Sequence, residues 1–208
     1  MTPSTLPDPS GPSDGPGPPG PARVVIIGIG NTLMGDEGLG VLAVRMLEAG
    51  GLLERIQDPE GGDREPGVGA QDDGDDERVP GGAAARTVRL LEAGTLGVDV
   101  LALLEPGEAV VILDAVRGDG PPGTLYRIDL GDLPPPDRPP VSVHDLGVLH
   151  LLEHARLLSR PLRGVLLGIE PQVIEPRVEE LSPPVAAALP ALVEAACTEA
   201  RRLRADEI

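Results

Sequence analysis

Apolar positions along this chain follow two rhythms. RVVIIGIG (23–30), TVRLLEAG (87–94), EAVVILDAV (108–116) and RGVLLGIEP (163–171) are short apolar runs of strand length, rich in β-branched residues. RVVIIGIG and EAVVILDAV suit buried strands, and the other two have strand character. GTLYRIDL (123–130) alternates instead, as an edge strand does. Elsewhere the spacing is helical. Leu39, Leu42, Ala43, Met46 and Leu47 mark the apolar face of a helix over 37–49. Further helices are expected over about 98–104, about 145–158 and 184–203, while PPPDRPP (134–140) forces an extended loop. Strands alternating with helices predict right-handed βαβ units, hence an α/β fold in three layers: a mainly parallel twisted sheet with helices on both faces. Ligands of such sheets bind beyond the carboxyl ends of the strands, and candidate chemistry is sought there.

Composition adjusts this picture in three places. The 208 residues suit one domain with additional segments. Residues 1–22, rich in Pro, Gly, Ser and Asp, offer nothing to bury and predict a disordered tail; 23–205 form the domain. Within it, 51–85 carry QDDGDDER among many glycines and are expected to be a flexible acidic insertion. Tyr126 is the sole aromatic, so Leu, Val, Ile and Ala must fill the core. A net charge of −17 excludes a broad nucleic-acid surface, which needs a basic face. Cys197, the one cysteine, excludes an internal disulfide or thiolate metal cluster and is expected as a small core residue. No run approaches the roughly 20 apolar residues of a membrane helix, and no secretory signal opens the chain. A monomer in the cytoplasm is the expectation.

The densest motif is GIGNTLMGDEGLG (28–40). It fails as a dinucleotide fingerprint, because position 33 is leucine rather than glycine. It fails as a phosphate loop too: Asp36 and Glu37 stand where lysine and a hydroxyl residue belong, and would repel polyphosphate. Asp36 is positioned to cap the following helix, and Glu37 to lie in its first turn. Asp114 ends the apolar strand VVILD in a charge, at the sheet edge where ligands bind. His144, in SVHDLG, follows the proline loop. Glu37, Asp114 and His144 thus offer two carboxylates and an imidazole from one sheet edge, a set suited to a borderline divalent cation with open coordination positions. Asn31, the lone asparagine, bonds either the turn's backbone or a substrate peptide.

With these residues the chain resembles the hydrogenase maturation proteases, endopeptidases that trim the large subunit of [NiFe] hydrogenases. The matching pieces are GIGNTLMGDEGLG, LLEAGTLGVDVL, VVILDAV, SVHDLGVLHLL and GIEPQVIEPRVEELSPPV, in order over roughly residues 23–204. The resemblance implies a phosphorylase/hydrolase-like sheet flanked by helices and a metal-contacting trio on Glu37, Asp114 and His144. It implies further that nickel already inserted in the precursor marks the substrate as ready. The protease then removes a C-terminal peptide. A metal ion polarises a scissile carbonyl or lowers the pKa of bound water towards about 7. With no independent nucleophile in view, water is the expected attacking group. Asn31, Asp36 and Glu170 are the expected substrate-binding residues, with Gln172 beside the last.

Two other readings compete. His150, Glu153 and His154 match the H-x-x-E-H pattern of inverted zinc peptidases, although a helical wheel turns all three away from the apolar face. A non-catalytic, nickel-dependent docking protein would use the same trio. Ser142, His144 and Asp145 are too close in sequence for a hydrolase triad, which gathers residues from separate segments.

Overall fold

The computed structural model describes residues 23–51, 56, 87–134 and 147–205. The expected tail, nearly all of the acidic insertion, most of the proline loop and the segment holding His144 lie outside them.

Five strands form one sheet: β1 (Val24–Ile29), β2 (Val88–Gly94), β3 (Ala109–Ala115), β4 (Leu125–Asp129) and β5 (Arg163–Ile169). The spatial order is β2-β1-β3-β5-β4, with every pairing parallel except β4 with β5. The alternating segment is therefore the antiparallel edge strand, as its pattern predicts. Its exposed and half-buried positions alternate, whereas every residue of β1 is buried.

Successive residues of the central strands serve opposite layers, which explains the unbroken apolar runs. Val24, Ile26, Val111, Leu113, Val165 and Leu167 pack on one face beneath α1 (Leu39–Ala49) and α3 (Pro183–Ala205). Val25, Ile27, Val110, Ile112 and Leu166 pack on the other face. A 3-10 segment (Gly97–Leu103) and α2 (Val148–Leu157) cover that side. The core is aliphatic throughout, with Cys197 buried within it, as composition requires. The helix expected over 98–104 is the 3-10 segment. The one expected from residue 37 starts at Leu39, after a separate 3-10 turn, Gly35–Gly38. Among the described residues no helix is long and apolar enough to cross a membrane.

The chain runs from β1 out to β2, then returns across β1 to β3, so strand order reverses between β1 and β3. At such a reversal the connections leave in opposite directions and open a crevice at the carboxyl ends of the two strands. Gly40 brings α1 tightly onto this place: a Cβ there would collide with the carbonyl oxygens of Ile29 and Leu113, the last core residues of β1 and β3. The turn carrying Glu37 is thereby pressed against the end of β3.

Candidate active site

A cavity of about 650 Å³ opens at this crevice. Ile29 and Gly30 enter it from the end of β1, Met34 and Glu37 from the glycine-rich turn, and Asp114 and Arg117 from the end of β3. Thr95 and Gly97 follow β2, Gly147 precedes α2, and Pro171 and Ile174 follow β5. Gly30 makes the turn possible. Its φ of +129° lies outside the range of ordinary side chains, and a Cβ would strike the Glu37 carbonyl.

Glu37 and Asp114 meet here, as their positions in sequence suggest. Glu37 is half-buried, and its carboxylate has no hydrogen-bond or ion-pair partner among the described residues. Asp114 is also half-buried and accepts one hydrogen bond, 2.7 Å from its neighbour's amide, Ala115 N–H. Burial pushes the Asp114 carboxyl up from 3.8 to about 7; the Ala115 bond opposes this, and the negative Glu37 adds to it. Among the described residues no cationic side chain pairs with either acid, and a divalent cation would relieve their repulsion. His144 lies outside the described residues; Gly147, three positions on, lines the cavity. Among the described residues no group of three His, Cys, Asp or Glu side chains is gathered for a metal ion.

Asp36 does other work than its position suggested. Its side chain caps no helix; the residue before α1 is Gly38, with no side-chain cap. Instead Asp36 is fully buried and accepts four hydrogen bonds: 2.8 Å from Gln172 N–H, 2.8 Å from Val173 N–H, 2.6 Å from Ser182 N–H and 2.8 Å from the Ser182 hydroxyl. Burial disfavours its charge, but these bonds outweigh burial and hold the carboxyl below its ordinary value. Asp36 does not line the cavity; it anchors the segment 172–182. Backbone bonds extend the anchor: Asp36 N–H to Val173, Gly35 N–H to Arg177, Arg177 N–H to Leu33 and Glu179 N–H to Thr32. The segment after β5 thus becomes a second wall, bringing Ile174 to the cavity opposite the turn.

Glu170, expected at the substrate, is 8% exposed and committed internally. Its Oε2 accepts from Gly118 N–H at 2.6 Å and from the Tyr126 hydroxyl at 2.9 Å. Asn31 makes the first of its two expected bonds, its Oδ1 accepting from Leu33 N–H at 3.0 Å within the turn. Neither side chain lines the cavity. The zinc-peptidase reading does not survive. His150 is buried at 8% exposure, and His154 is exposed with its Nδ1 against the His150 carbonyl at 3.2 Å. The three side chains do not converge on a metal position. His150 is buried together with the apolar residues of α2, so the helical wheel misplaced it. Met34, Ile174 and Arg117 are cavity residues that periodicity passed over; their one signal was position just beyond a strand end or in a loop returning to it.

Comparison with known proteins agrees with this architecture. The family model for hydrogenase maturation proteases matches residues 79–199. The hydrogenase expression/formation protein HupD of Rhodobacter capsulatus is 31% identical over 183 residues, covering 87% of this chain and 72% of that protein. The hydrogenase 2 maturation protease of Escherichia coli is 27% identical over 173 residues, covering 82% and 86%. Among solved structures, the hydrogenase maturating endopeptidase HybD from E. coli superposes with a TM-score of 0.55 at 24% identity, over 84% of this chain and 89% of that one. The [NiFe] hydrogenase maturation protease HybD from Thermococcus kodakarensis gives 0.56 at 24% identity, over 86% and 99%. The match over residues 79–199 and the HupD identity across most of both chains establish that this chain belongs to the hydrogenase maturation protease family, whose members are endopeptidases.

Proposed function

We propose that the protein removes a C-terminal peptide from the precursor of a [NiFe] hydrogenase large subunit, and that it engages the precursor through nickel already inserted there. The observation that carries this reading is the pair Glu37 and Asp114. Two carboxylates line one cavity; among the described residues one has no partner and the other is held only by its neighbour's amide, whereas the adjacent Asp36 is hydrogen-bonded within the fold. Such a pair favours a cation brought by the substrate.

Glu37 and Asp114 contact the nickel ion of the precursor, with His144 as the third contact. Oxygen and imidazole donors suit that borderline ion. The ion fixes the precursor's tail along the cavity, between the turn 31–37 and the wall 172–182. Water attacks the scissile carbonyl, the C–N bond breaks, and the products are a new carboxylate on the subunit and an amine on the released peptide. Nickel-free precursor lacks the cation that offsets the acid pair, so it does not dock and is not cut.

The test is cleavage of purified precursor, read as a mobility shift on a denaturing gel. Nickel-loaded precursor is cut and nickel-free precursor is not. His144→Ala and Glu37→Gln lose cleavage while keeping the wild-type circular-dichroism spectrum. Equal cleavage of both precursors removes nickel recognition from the reading, and full activity of His144→Ala removes the trio.

A further inference from the structure

The cavity also carries a positive charge that the metal-recognition reading does not use. Arg117 lines the cavity three residues beyond Asp114, exposed, and no hydrogen bond or ion pair engages its guanidinium among the described residues. That is unusual within this chain. With 34 acidic residues against 17 arginines, most described arginines find a carboxylate or carbonyl: Arg45 with Glu92 and Glu179, Arg89 with Glu108, Arg127 with Asp129 and Glu199. Arg117 is not among the influences on the Asp114 carboxyl, which are its own burial, Ala115 and Glu37.

Among the described residues the side chain has no partner, but its root is held. Val116 N–H bonds the Ile169 carbonyl at 3.1 Å, and Gly118 N–H bonds Glu170 at 2.6 Å, so both flanking residues are tied to the end of β5. The Tyr126 hydroxyl donates to the same Glu170 oxygen at 2.9 Å and accepts from Gly120 N–H at 2.9 Å. Its ring packs so closely on Gly118 and Gly120 that a Cβ at either would collide with it. The only aromatic residue and a buried glutamate thus bracket the loop that carries Arg117. A cation held in this way, without a partner among the described residues and facing a cavity, is preorganised for an external anion. On a polypeptide substrate the guanidinium fork matches a carboxylate.

We propose that Arg117 is a substrate-binding residue that takes a carboxylate of the precursor's C-terminal segment, either the terminal α-carboxylate or an acidic side chain. This rests on the function proposed above. The cleft then reads its substrate at two points of opposite sign, the metal at Glu37 and Asp114 and the carboxylate at Arg117. Glu170 and Tyr126 act through Arg117 as positioning residues.

The experiment is steady-state cleavage of nickel-loaded precursor by wild type, Arg117→Gln and Arg117→Lys. Arg117 is exposed and has no partner among the described residues, so the variants are expected to keep the wild-type melting temperature. The Gln variant raises KM about tenfold with kcat within about twofold, and Lys restores most of the loss, as expected for an exposed charge contact worth about 1.4 kcal/mol. The source of the carboxylate is read from two altered precursors, one with two glycines appended to its C-terminus and one with the acids of its C-terminal segment changed to amides. Whichever alteration raises KM for wild type leaves the Gln variant unaffected. An unchanged KM in Arg117→Gln, or a loss confined to kcat, overturns the role of Arg117 while the cleavage reading stands. Failure of wild type to cut the loaded precursor takes down both.

Discussion

Replacing Asp114 by asparagine is expected to stabilise the protein and abolish its activity, and the size of the gain follows from electrostatics. The folded chain holds this carboxyl at about 7 instead of 3.8. Below pH 4 the group is protonated in both folded and unfolded chains and contributes nothing. Between about pH 4 and 7 the unfolded chain releases the proton and the folded chain keeps it, so unfolding stability falls as pH rises. Above 7 both states are ionised and the full cost persists. At about 1.4 kcal/mol per pH unit the shift sets a ceiling of about 4 kcal/mol, and solvent reaching the half-buried carboxyl lowers it.

Asparagine keeps the oxygen that accepts from Ala115 N–H and removes the charge beside Glu37. The expected gain is therefore about 1–3 kcal/mol at pH 8, or a rise in Tm of several degrees for a chain of this size, and close to zero at pH 4. Urea denaturation of wild type and Asp114→Asn at the two pH values measures it directly. A stability difference independent of pH, or a variant less stable than wild type at pH 8, refutes the view of Asp114 as a strained acid awaiting a cation.

Two further predictions concern the acids that the fold does satisfy. Asp36→Ala strands three backbone amides and a hydroxyl in a buried place, each at about 1–3 kcal/mol and not additively. A loss of about 3–5 kcal/mol by urea denaturation is expected, against a near-neutral Glu37→Ala; equal effects would remove the anchor role. Asp36, Glu108 and Glu199 all have carboxyls below their ordinary values. Burial opposes ionisation at the first two and their bonding partners outweigh it; at Glu199 the Arg127 bond leads. The stability they add is present above the unfolded range near pH 4 and is lost as pH falls through their folded values. The urea midpoint should accordingly drop steeply below about pH 4, and a flat acid limb would contradict it.

What was legible in the sequence is what local pattern controls. β1, β3 and β5 are buried on both faces, so their unbroken apolar runs marked them, and β4 betrayed its edge position by alternating. The sheet then put Glu37 and Asp114 at one strand-order reversal, which the crevice rule anticipates. The failures share one cause. Asp36 has an obvious local job as a helix cap, yet its partners lie 136–146 residues further along the chain. Glu170 likewise spends its carboxylate on Gly118 and Tyr126, 52 and 44 residues away. No periodicity encodes such long-range bonds. Arg117 carried no pattern at all, and only the pairing of its fellow arginines makes it stand out.

The divergent fates of Asp36 and Glu37, neighbours in the chain, explain how the cleft is both stiff and hungry for charge. A cation sensor needs acids left unpaired, and unpaired buried acids weaken the fold around them. On the function proposed, this protein separates the two requirements by one residue. Asp36 turns inward and binds the wall 172–182 to the turn with four bonds, so the turn cannot relax to move its charges apart. Glu37, held by that fixed backbone and by the close approach of Gly40 to β3, must stay near Asp114 despite their repulsion. If the anchor were lost, the acids would separate, Asp114 would ionise at lower pH, and the proposed discrimination between nickel-loaded and nickel-free precursor would shrink before cleavage itself disappeared. Asp36→Asn, which retains one accepting oxygen, is the variant in which that order of losses can be observed.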